Sequence, residues 1–534
     1  IQCGYHGRAS GKDAARQFFQ ISPAQAADLR SSYGAFHSAL LQLYEDDALT
    51  LAHGEGGEAP VFDAALFDDA AQMVYDAGGF DVSQLTDPRA RKVIDETTRI
   101  INRAVDAAVP HEVPETLRYA LENNGFIFSG LKTFHALREV GLSMLDDQGN
   151  VKPFDDFRKD VQQINKNYNV NWLNAEYKHA LGSSLMAVKW NDLKQDTDRY
   201  FLQYRTAQDS RVRPDHAALD GITLPADDPF WSKYYPPNGW GCRCQAVQVR
   251  RSKYQPSDPK EAMKLGDEAT ETLKQQMFRY NAGTEMALFP PKHPYYKAPA
   301  KAKKVIKQMS EEEQKKRRID EMIKELPDTL TADEKKAVAE HNLDIETAFG
   351  ISKGKAMDYE NANKGKENPN FSKGGGYRVN CQTCTVTHWL RRLGFDMEAK
   401  PNIKGSAFDE MKKQGINWTE RFTNLDGSKP DYDYTYSWKN KKGYKTMTRK
   451  RLDEYFAEKC SHDGVYEIYC AWKGGSAHVF CAEVKGGKIR FFDPQSGKDD
   501  VHYYLDAMKP NMVGCLRIDD KLINPKLKNL FISK

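Results

Sequence analysis

The sequence predicts a multidomain α+β protein, and three observations carry that expectation. At 534 residues the chain exceeds what one hydrophobic core organises, so two to four domains are expected. Much of its first two hundred residues spaces apolar side chains at helical intervals. The last third instead holds a hairpin-like pair of alternating runs behind one short amphipathic helix. The resulting layout is a mostly helical N-terminal part, a mixed α/β part, a charged helical linker, and a C-terminal α+β part with a helix packed on an antiparallel sheet.

Composition narrows the function classes. Hydrophobic residues make up 40% and charged residues 29%, as in a soluble globular chain. A formal net charge of +3 gives no general reason to invoke nucleic acid or a membrane surface. No apolar run is long enough to span a bilayer. The start, "IQCGYHGRASGKDAARQFFQ", lacks Met and an apolar signal core, so a missing or processed N-terminus is expected. Nine cysteines are scattered along the chain: Cys3, Cys242, Cys244, Cys381, Cys384, Cys460, Cys470, Cys481 and Cys515. The number is odd and low for this length, which favours a reducing cytosol over a disulfide scaffold. Cys470 and Cys481 fall inside strand-like runs, where Cys acts as a small hydrophobe.

The elements follow in order. "DPRARKVIDETTRIINRAVDAAV" predicts a helix started by Asp87-Pro88. "FDDFRKDVQQINKNYNVNWLNAEYKHALGSSLMAVKW" reads as helix too. From 201 to 254, Pro, Gly, Asp and aromatics dominate, so turns alternate with short strands, and "AVQVR" after Cys244 reads as one of them. Residues 298–345 interleave Lys with Glu, which predicts a solvated helical linker rather than a nucleic-acid patch. "NANKGKENPNFSKGGG" closes it with turn formers. A new domain is expected near Tyr377.

The C-x-x-C of "GGGYRVNCQTCTVTHWLRRLG" has three readings: a zinc half-site, a redox pair, or one working thiol beside a bystander. Val386, Trp389, Leu390 and Leu393 form one apolar helical stripe, with Asn380 as N-cap and Gly394 at the C-terminal end. Cys381 is then the first helical residue and Cys384 lies one turn in, both off the stripe and free to face a cleft. A thiol at a helix start is favoured as thiolate, and the same unpaired N–H groups can hold an oxyanion.

A base is within sequence reach. "AHVFCAEVKGGKIRFFDPQSG" is a hairpin with its turn at Gly486-Gly487. Pairing Lys485 with Lys488 puts Val484 opposite Ile489, Ala482 opposite Phe491, Phe480 opposite Asp493 and His478 opposite Gln495. These residues share one sheet face, the one a helix is expected to cover, with His478, Asp493 and Gln495 at its open end. A Cys–His–Asp constellation results, with Cys381 or Cys384 as nucleophile. The zinc reading would need Cys460 and His462 of "CSH", at a spacing that fits no common finger. The redox reading expects a preceding strand, where a Gly-rich loop stands. Without a thiol partner, His478 would be a satisfied sheet-end histidine and Asp493-Pro494 a turn.

Residues 366–534 resemble the papain-fold toxin family expected to deamidate glutamine. "YRVNCQTCTVTHWLRRLGFDMEA", "AHVF" and "GGKIRFFDPQSG" carry the resemblance in order and spacing; Thr387 stands where that family usually has Ala. The resemblance implies a papain-like α+β domain with the nucleophile in "NCQTC", His478 as base and Asp493 as its orienter. Gln495 would help to position the substrate or the His. Position behind the cap favours Cys381; the papain-type habit of a second Cys three residues before the nucleophile favours Cys384.

The middle of the chain resembles the phage Mu F-type head morphogenesis, or minor head protein, family. "YRTAQDSRVRPDHAALDG", "DDPFW", "PPNGWGCRC" and "FPPKHPYY" carry it, with "NNGFIFSGLKTFHALREVGLSMLDDQGNVKPFDDF" as its helical part. The expected division is a helical region of open role (1–120), a minor head protein domain (121–297), the linker (298–365) and the toxin domain (366–534). Inside the second, His216, Cys242 and Cys244, with Asp209 or Asp215, have the chemistry of zinc ligands; packing of a Gly/Pro-rich loop is the alternative.

The resemblances imply a virion protein with an effector domain acting in the bacterial cytoplasm. Its partners would be phage portal and head proteins, a protein substrate and an immunity protein, with no membrane and no nucleic acid. The implied reaction needs no metal or organic cofactor; a structural zinc belongs, if anywhere, to the head-protein domain and not to the reaction. A protease uses the same catalytic parts. A structural virion protein with a silent C-terminal domain is the non-enzymatic alternative.

Overall fold

The helical spacing of the first two hundred residues is realised as packed helices in the computed structural model. It describes residues 23–44, 60–146 apart from 111, 112 and 114, then 152–524 apart from 414, 416 and 417, and 532–533. The opening "IQCGYHGRASGKDAARQFFQ", with Cys3, lies outside the described residues. The chain divides into two units, residues 1–314 and 315–534.

The first unit contains α1 (Pro23–Tyr44), α2 (Ala64–Asp76), α3 (Pro88–Ala108), α4 (Glu115–Ser143), α5 (Phe154–Asn165) and α6 (Leu173–Leu193), the last two joined by a π-helical stretch, Lys166–Trp172. Helix α3 begins as expected. The Asp87 side chain accepts from the Arg89 N–H, and Pro88 takes the first position, where a missing N–H costs nothing. Its Val93, Ile94, Ile101 and Val105 enter one core with Leu121, Phe128 and Leu137 of α4. Helices α4 and α6 share a buried ion pair, Lys132 with Glu176. Tyr44 and Tyr295 hydroxyls donate to Glu176 at 2.8 and 3.3 Å, and Phe289 stacks on Phe128 with centroids 3.6 Å apart. The segment "FPPKHPYY" is thereby locked into the helical core.

A small antiparallel sheet follows, β1 (Tyr200–Arg205), β2 (Thr223–Leu224) and β3 (Gln245–Arg250), in the order β2-β1-β3. It realises the alternation of strands and turns, including "AVQVR" as strand.

The charged stretch 298–345 is helical, as α7 (Ala300–Lys324) and part of α8 (Ala332–Phe349), but it is not wholly solvated. Ala302, Ile306 and Met309 enter the core of the first unit. Ile345 enters a core of the second, where His341 Nε2 accepts from the Ile523 N–H at 3.1 Å. Interleaved Lys and Glu hid sparse apolar positions that one packed face of a helix requires.

The second unit is built on α9 (Cys381–Leu393), α10 (Arg449–Lys459) and a five-stranded antiparallel sheet. Its strands are β4 (Asp433–Tyr434), β5 (Gly464–Trp472), β6 (Ala477–Lys485), β7 (Lys488–Phe492) and β8 (Met508–Arg517), in the order β4-β8-β5-β6-β7. The hairpin turns at Gly486 (φ 58°) and Gly487 (φ 72°), both in the left-handed region that such tight hairpin turns require. Lys485 pairs with Lys488, Val484 with Ile489 and Ala482 with Phe491, as the sequence predicts. The ladder then stops. Strand β7 ends at Phe492, and Asp493 bridges Lys498 instead of facing Phe480. His478 pairs with Cys470 of β5, and not with Gln495. The Pro494 ring has no N–H to extend the ladder, so the chain turns there.

A helix covers the His478 face as expected, and it is α10; the cysteine helix lies on the other face. The face carrying Phe480, Ala482 and Val484 packs on Leu452, Tyr455 and Phe456 of α10. The body of α9 covers the opposite face: Val386 and Leu390 share a core with Val465, and Arg392 pairs with Glu483 at 2.8 Å. Cys470 and Cys481 are fully buried small hydrophobes, as expected. Among the described residues no helix is long and apolar enough to cross a membrane.

Candidate active site

Cys381 opens α9 and is partly exposed, whereas Cys384, one turn on, is fully buried. The expectation that both thiols face a cleft therefore fails for Cys384. Burial pushes its thiol well above the ordinary range, with the charges of Cys381 and Asp493 adding to the rise. Asn380 holds the N-cap position, but its side chain makes no capping bond. It is turned into a polar network instead, accepting from Gln495 Nε2 at 3.2 Å and donating to Asn368 Oδ1 at 3.3 Å. Asn368 Nδ2 in turn donates to the Gln495 carbonyl at 2.8 Å. Gln495 thus ties the turn after β7 to the start of α9; its carboxamide is spent on Asn380 rather than on His478.

His478 stands on the α10 side of the sheet, stacked near Trp472 and Phe480 with Tyr504 at its edge. It reaches Cys381 because that residue begins α9, at the open end of the sheet. His478 Nε2 lies 3.4 Å from Asp493 Oδ1, an ion-pair contact without the alignment of a good hydrogen bond. The ring also interacts electrostatically with the Cys381 thiol. With Nε2 turned to the carboxylate, Nδ1 is the nitrogen left for sulfur. Burial works against a charge on His478, yet Asp493 and Cys381 together raise its pKa to about 10. Asp493 is buried too, which opposes its charge. His478, the Ser496 hydroxyl (2.7 Å) and the Tyr504 hydroxyl (3.0 Å) nonetheless hold it below the usual carboxylate range.

Several residues of this site escaped the sequence reading. Arg421 is fully buried and donates to the Gln382 carbonyl, to Thr385 Oγ1 at 2.9 Å and to Glu467, which also accepts from Tyr432 at 2.6 Å. It fixes the first turn of α9 to β5 and places a cation in the field of Cys381. His388 Nδ1 contacts Glu367 at 2.7 Å, both fully buried. One signal was available: Glu467 interrupts the apolar strand "GVYEIYCAW", and a buried acid needs a partner. The zinc reading of the C-x-x-C gains no ligands. Cys460 sits in the α10 core 3.5 Å from the Cys515 sulfur, and His462 bonds Ser461 at the surface.

In the first unit, His216, Cys242 and Cys244 converge, their donor atoms all within 4.8 Å of one another. The two carboxylates considered with them do not join. Asp209 is held by the two Nη nitrogens of Arg243, at 2.6 and 2.7 Å. Asp215 accepts from the His216 N–H and from Gln275 Nε2.

This cluster lies within residues 150–247, which match the family model described as "Phage Mu protein F like protein". Two particular relatives are similar to parts of the chain. One is the "Putative capsid assembly protein F" of Escherichia phage Mu, 35% identical over 113 residues, 21% of this chain and 23% of that protein. The other is the "Mu-like prophage FluMu F protein" of Haemophilus influenzae, 46% identical over 65 residues, 11% of this chain and 16% of that protein. The match thus spans less than a quarter of either relative's length. No solved structure matches the chain.

Proposed function

We propose that this chain is a phage head-assembly protein carrying a thiol-dependent effector unit that deamidates a protein glutamine. The head-assembly half rests on the Mu F-like segment at 150–247 and on the relative named for capsid assembly. Phage head proteins, the portal among them, are its partners on this reading. A phage lacking the chain should fail to build normal heads; normal heads in its absence would refute this half.

The effector half rests on one observation: His478 joins the Cys381 thiol and the Asp493 carboxylate at the start of a helix. Cys381 sulfur attacks the carboxamide carbon, and helix-start N–H groups hold the oxyanion. His478 passes its proton to the leaving nitrogen, ammonia departs, and a thioester remains. Water then gives a proton to His478 and its hydroxide to the thioester, releasing glutamate and the thiol. Asp493 keeps the ring oriented throughout. Exposure favours Cys381 over Cys384 as the nucleophile, and the resemblance alone prefers deamidation to peptide cleavage.

The test expresses the full chain in bacteria beside Cys381→Ala, Cys384→Ala and His478→Ala, scoring growth and host-protein masses. Growth arrest with glutamine-to-glutamate conversion, lost in Cys381→Ala and His478→Ala, supports the reading. New cleavage products would make it a protease. Neither effect in the wild type would leave a structural protein with a silent C-terminal unit.

A further inference from the structure

Three soft donors meet at one point in the first unit, outside the site above. His216 Nδ1 lies 3.6 Å from Cys242 Sγ and 3.5 Å from Cys244 Sγ. A single ring N–H has one proton and cannot serve two sulfurs well. A tetrahedral zinc ion, with bonds near 2.3 Å to sulfur and 2.0–2.1 Å to nitrogen, would set each N···S separation at roughly 3.6 Å. We propose that His216 Nδ1, Cys242 Sγ and Cys244 Sγ bind one zinc ion, with water in the fourth position.

The surroundings are built to hold these three donors. His216 lies in a one-turn helix, Pro214–Ala217, and is buried. The loop "PPNGWGCRC" is pinned from one side by Trp240, buried in the helical core and stacked on Tyr44 at 5.0 Å. From the other side Cys244 belongs to the core under the small sheet, just before β3. Gly241 takes a left-handed conformation (φ 62°), and the Cys242 N–H closes a turn on the Gly239 carbonyl at 3.2 Å. This turn brings the two cysteines of C-x-C to one side. The Tyr204 hydroxyl donates to Asn238 Oδ1 at 2.9 Å and so steadies the loop just ahead of the two cysteines, as an outer shell of hydrogen bonds steadies metal ligands.

One contact must change on binding. His216 Nε2 lies 3.3 Å from Arg213 Nη2, so in the metal-free site Nε2 accepts and Nδ1 carries the proton. Zinc takes the Nδ1 lone pair, and the ring proton moves to Nε2. Arg213 then withdraws from the ring and keeps its contact with the Trp240 carbonyl, 3.4 Å away. The cysteine protons leave to solvent, so binding releases protons and weakens at low pH.

The full chain, reduced and stripped with a chelator, is titrated with zinc and, separately, with cobalt(II). The expected result is one metal per chain and a cobalt spectrum with thiolate charge-transfer bands and tetrahedral d–d bands. Cys242→Ser, Cys244→Ser and His216→Ala should each weaken binding at least tenfold, while Cys381→Ser keeps full stoichiometry. Because a ligand variant could fold poorly, wild-type cobalt spectra and an Arg213→Gln variant, which should bind zinc at least as well, stand as independent readouts. Absence of stoichiometric metal, an octahedral cobalt spectrum, unchanged binding in Cys242→Ser/Cys244→Ser, or a Cys242–Cys244 disulfide in the native chain would each overturn the proposal.

Discussion

His478 Nε2 faces Asp493 Oδ1 at 3.4 Å, and that carboxylate is itself held by Ser496 and Tyr504. The imidazole is therefore oriented from behind by an acid that cannot turn away. Asp493→Asn should leave the thiol in place but loosen the ring. On the proposed reaction, turnover of a glutamine substrate should fall roughly 10²–10⁴-fold, the range for a lost or misdirected general base. An unchanged rate would remove Asp493 from the mechanism.

The raised pKa of His478 has a signed consequence for stability. A group raised from 6.5 to about 10 by folding stabilises the folded state fully below 6.5 and loses that contribution as pH climbs through about 10. Asp493, held low, contributes above the ordinary carboxylate range and loses its contribution as pH falls. Denaturant midpoints of wild type and His478→Gln, measured from pH 6 to pH 10.5, should converge at the alkaline end (about one pH unit per tenfold change in protonation). Parallel curves would show that His478 is not charged in the folded protein.

The two thiols of the C-x-x-C should separate by reactivity. Cys384 is sealed and its thiol is pushed up, whereas Cys381 is partly exposed beside His478. Native-state alkylation followed by peptide mapping should modify Cys381 first, and His478→Ala should slow it. Faster modification of Cys384 would reverse the assignment of the nucleophile.

Removing Arg421 should unfold the second unit more readily than removing a surface charge. Arg421→Met strands the buried Glu467 carboxylate, at a cost of about 3–5 kcal/mol. The double change Arg421→Met/Glu467→Gln should recover part of this loss. Denaturant unfolding of the full chain, followed by Trp fluorescence, reads both. A loss below 1 kcal/mol in the single variant would contradict the burial.

Helix α8 should matter to the second unit although its sequence reads as linker. Ile345→Ala is expected to cost about 2–5 kcal/mol, because the side chain is 1% exposed in a shared core. A fragment beginning at residue 366 should accordingly be less stable than one beginning at 315. Equal melting temperatures for the two fragments would show that α8 packs too weakly to count.

Local rules were legible in the sequence wherever one element decides its own form. Asp87-Pro88 started a helix, Gly486-Gly487 turned a hairpin, and the apolar stripe of α9 faced a core. Each depends on backbone geometry or on side-chain period within a few residues. The candidate site was legible in its members but not in its assembly. Strand alternation put His478 and Asp493 on one face, yet periodicity carries no information about which helix covers which face. That was settled by long-range packing: α10 fills the His478 side, α9 the other, and the thiol meets the imidazole only at the sheet's open end.

Residue order alone was enough for the helix at Cys381–Leu393, the hairpin register up to Phe492 and the chemical types at each candidate site, but not for α10 or for strands β4 and β8. Which of those chemical types come within reach of one another depended on the packed chain. Cys384 was withdrawn by burial, Asp209 and Asp215 by closer cationic and amide partners, and Gln495 by Asn380. Arg421 was brought in from forty residues beyond the cysteine it neighbours (421 against 381). The reason is physical: hydrogen bonds and ion pairs act over a few ångströms, and only the packed chain determines which distant residues come that close.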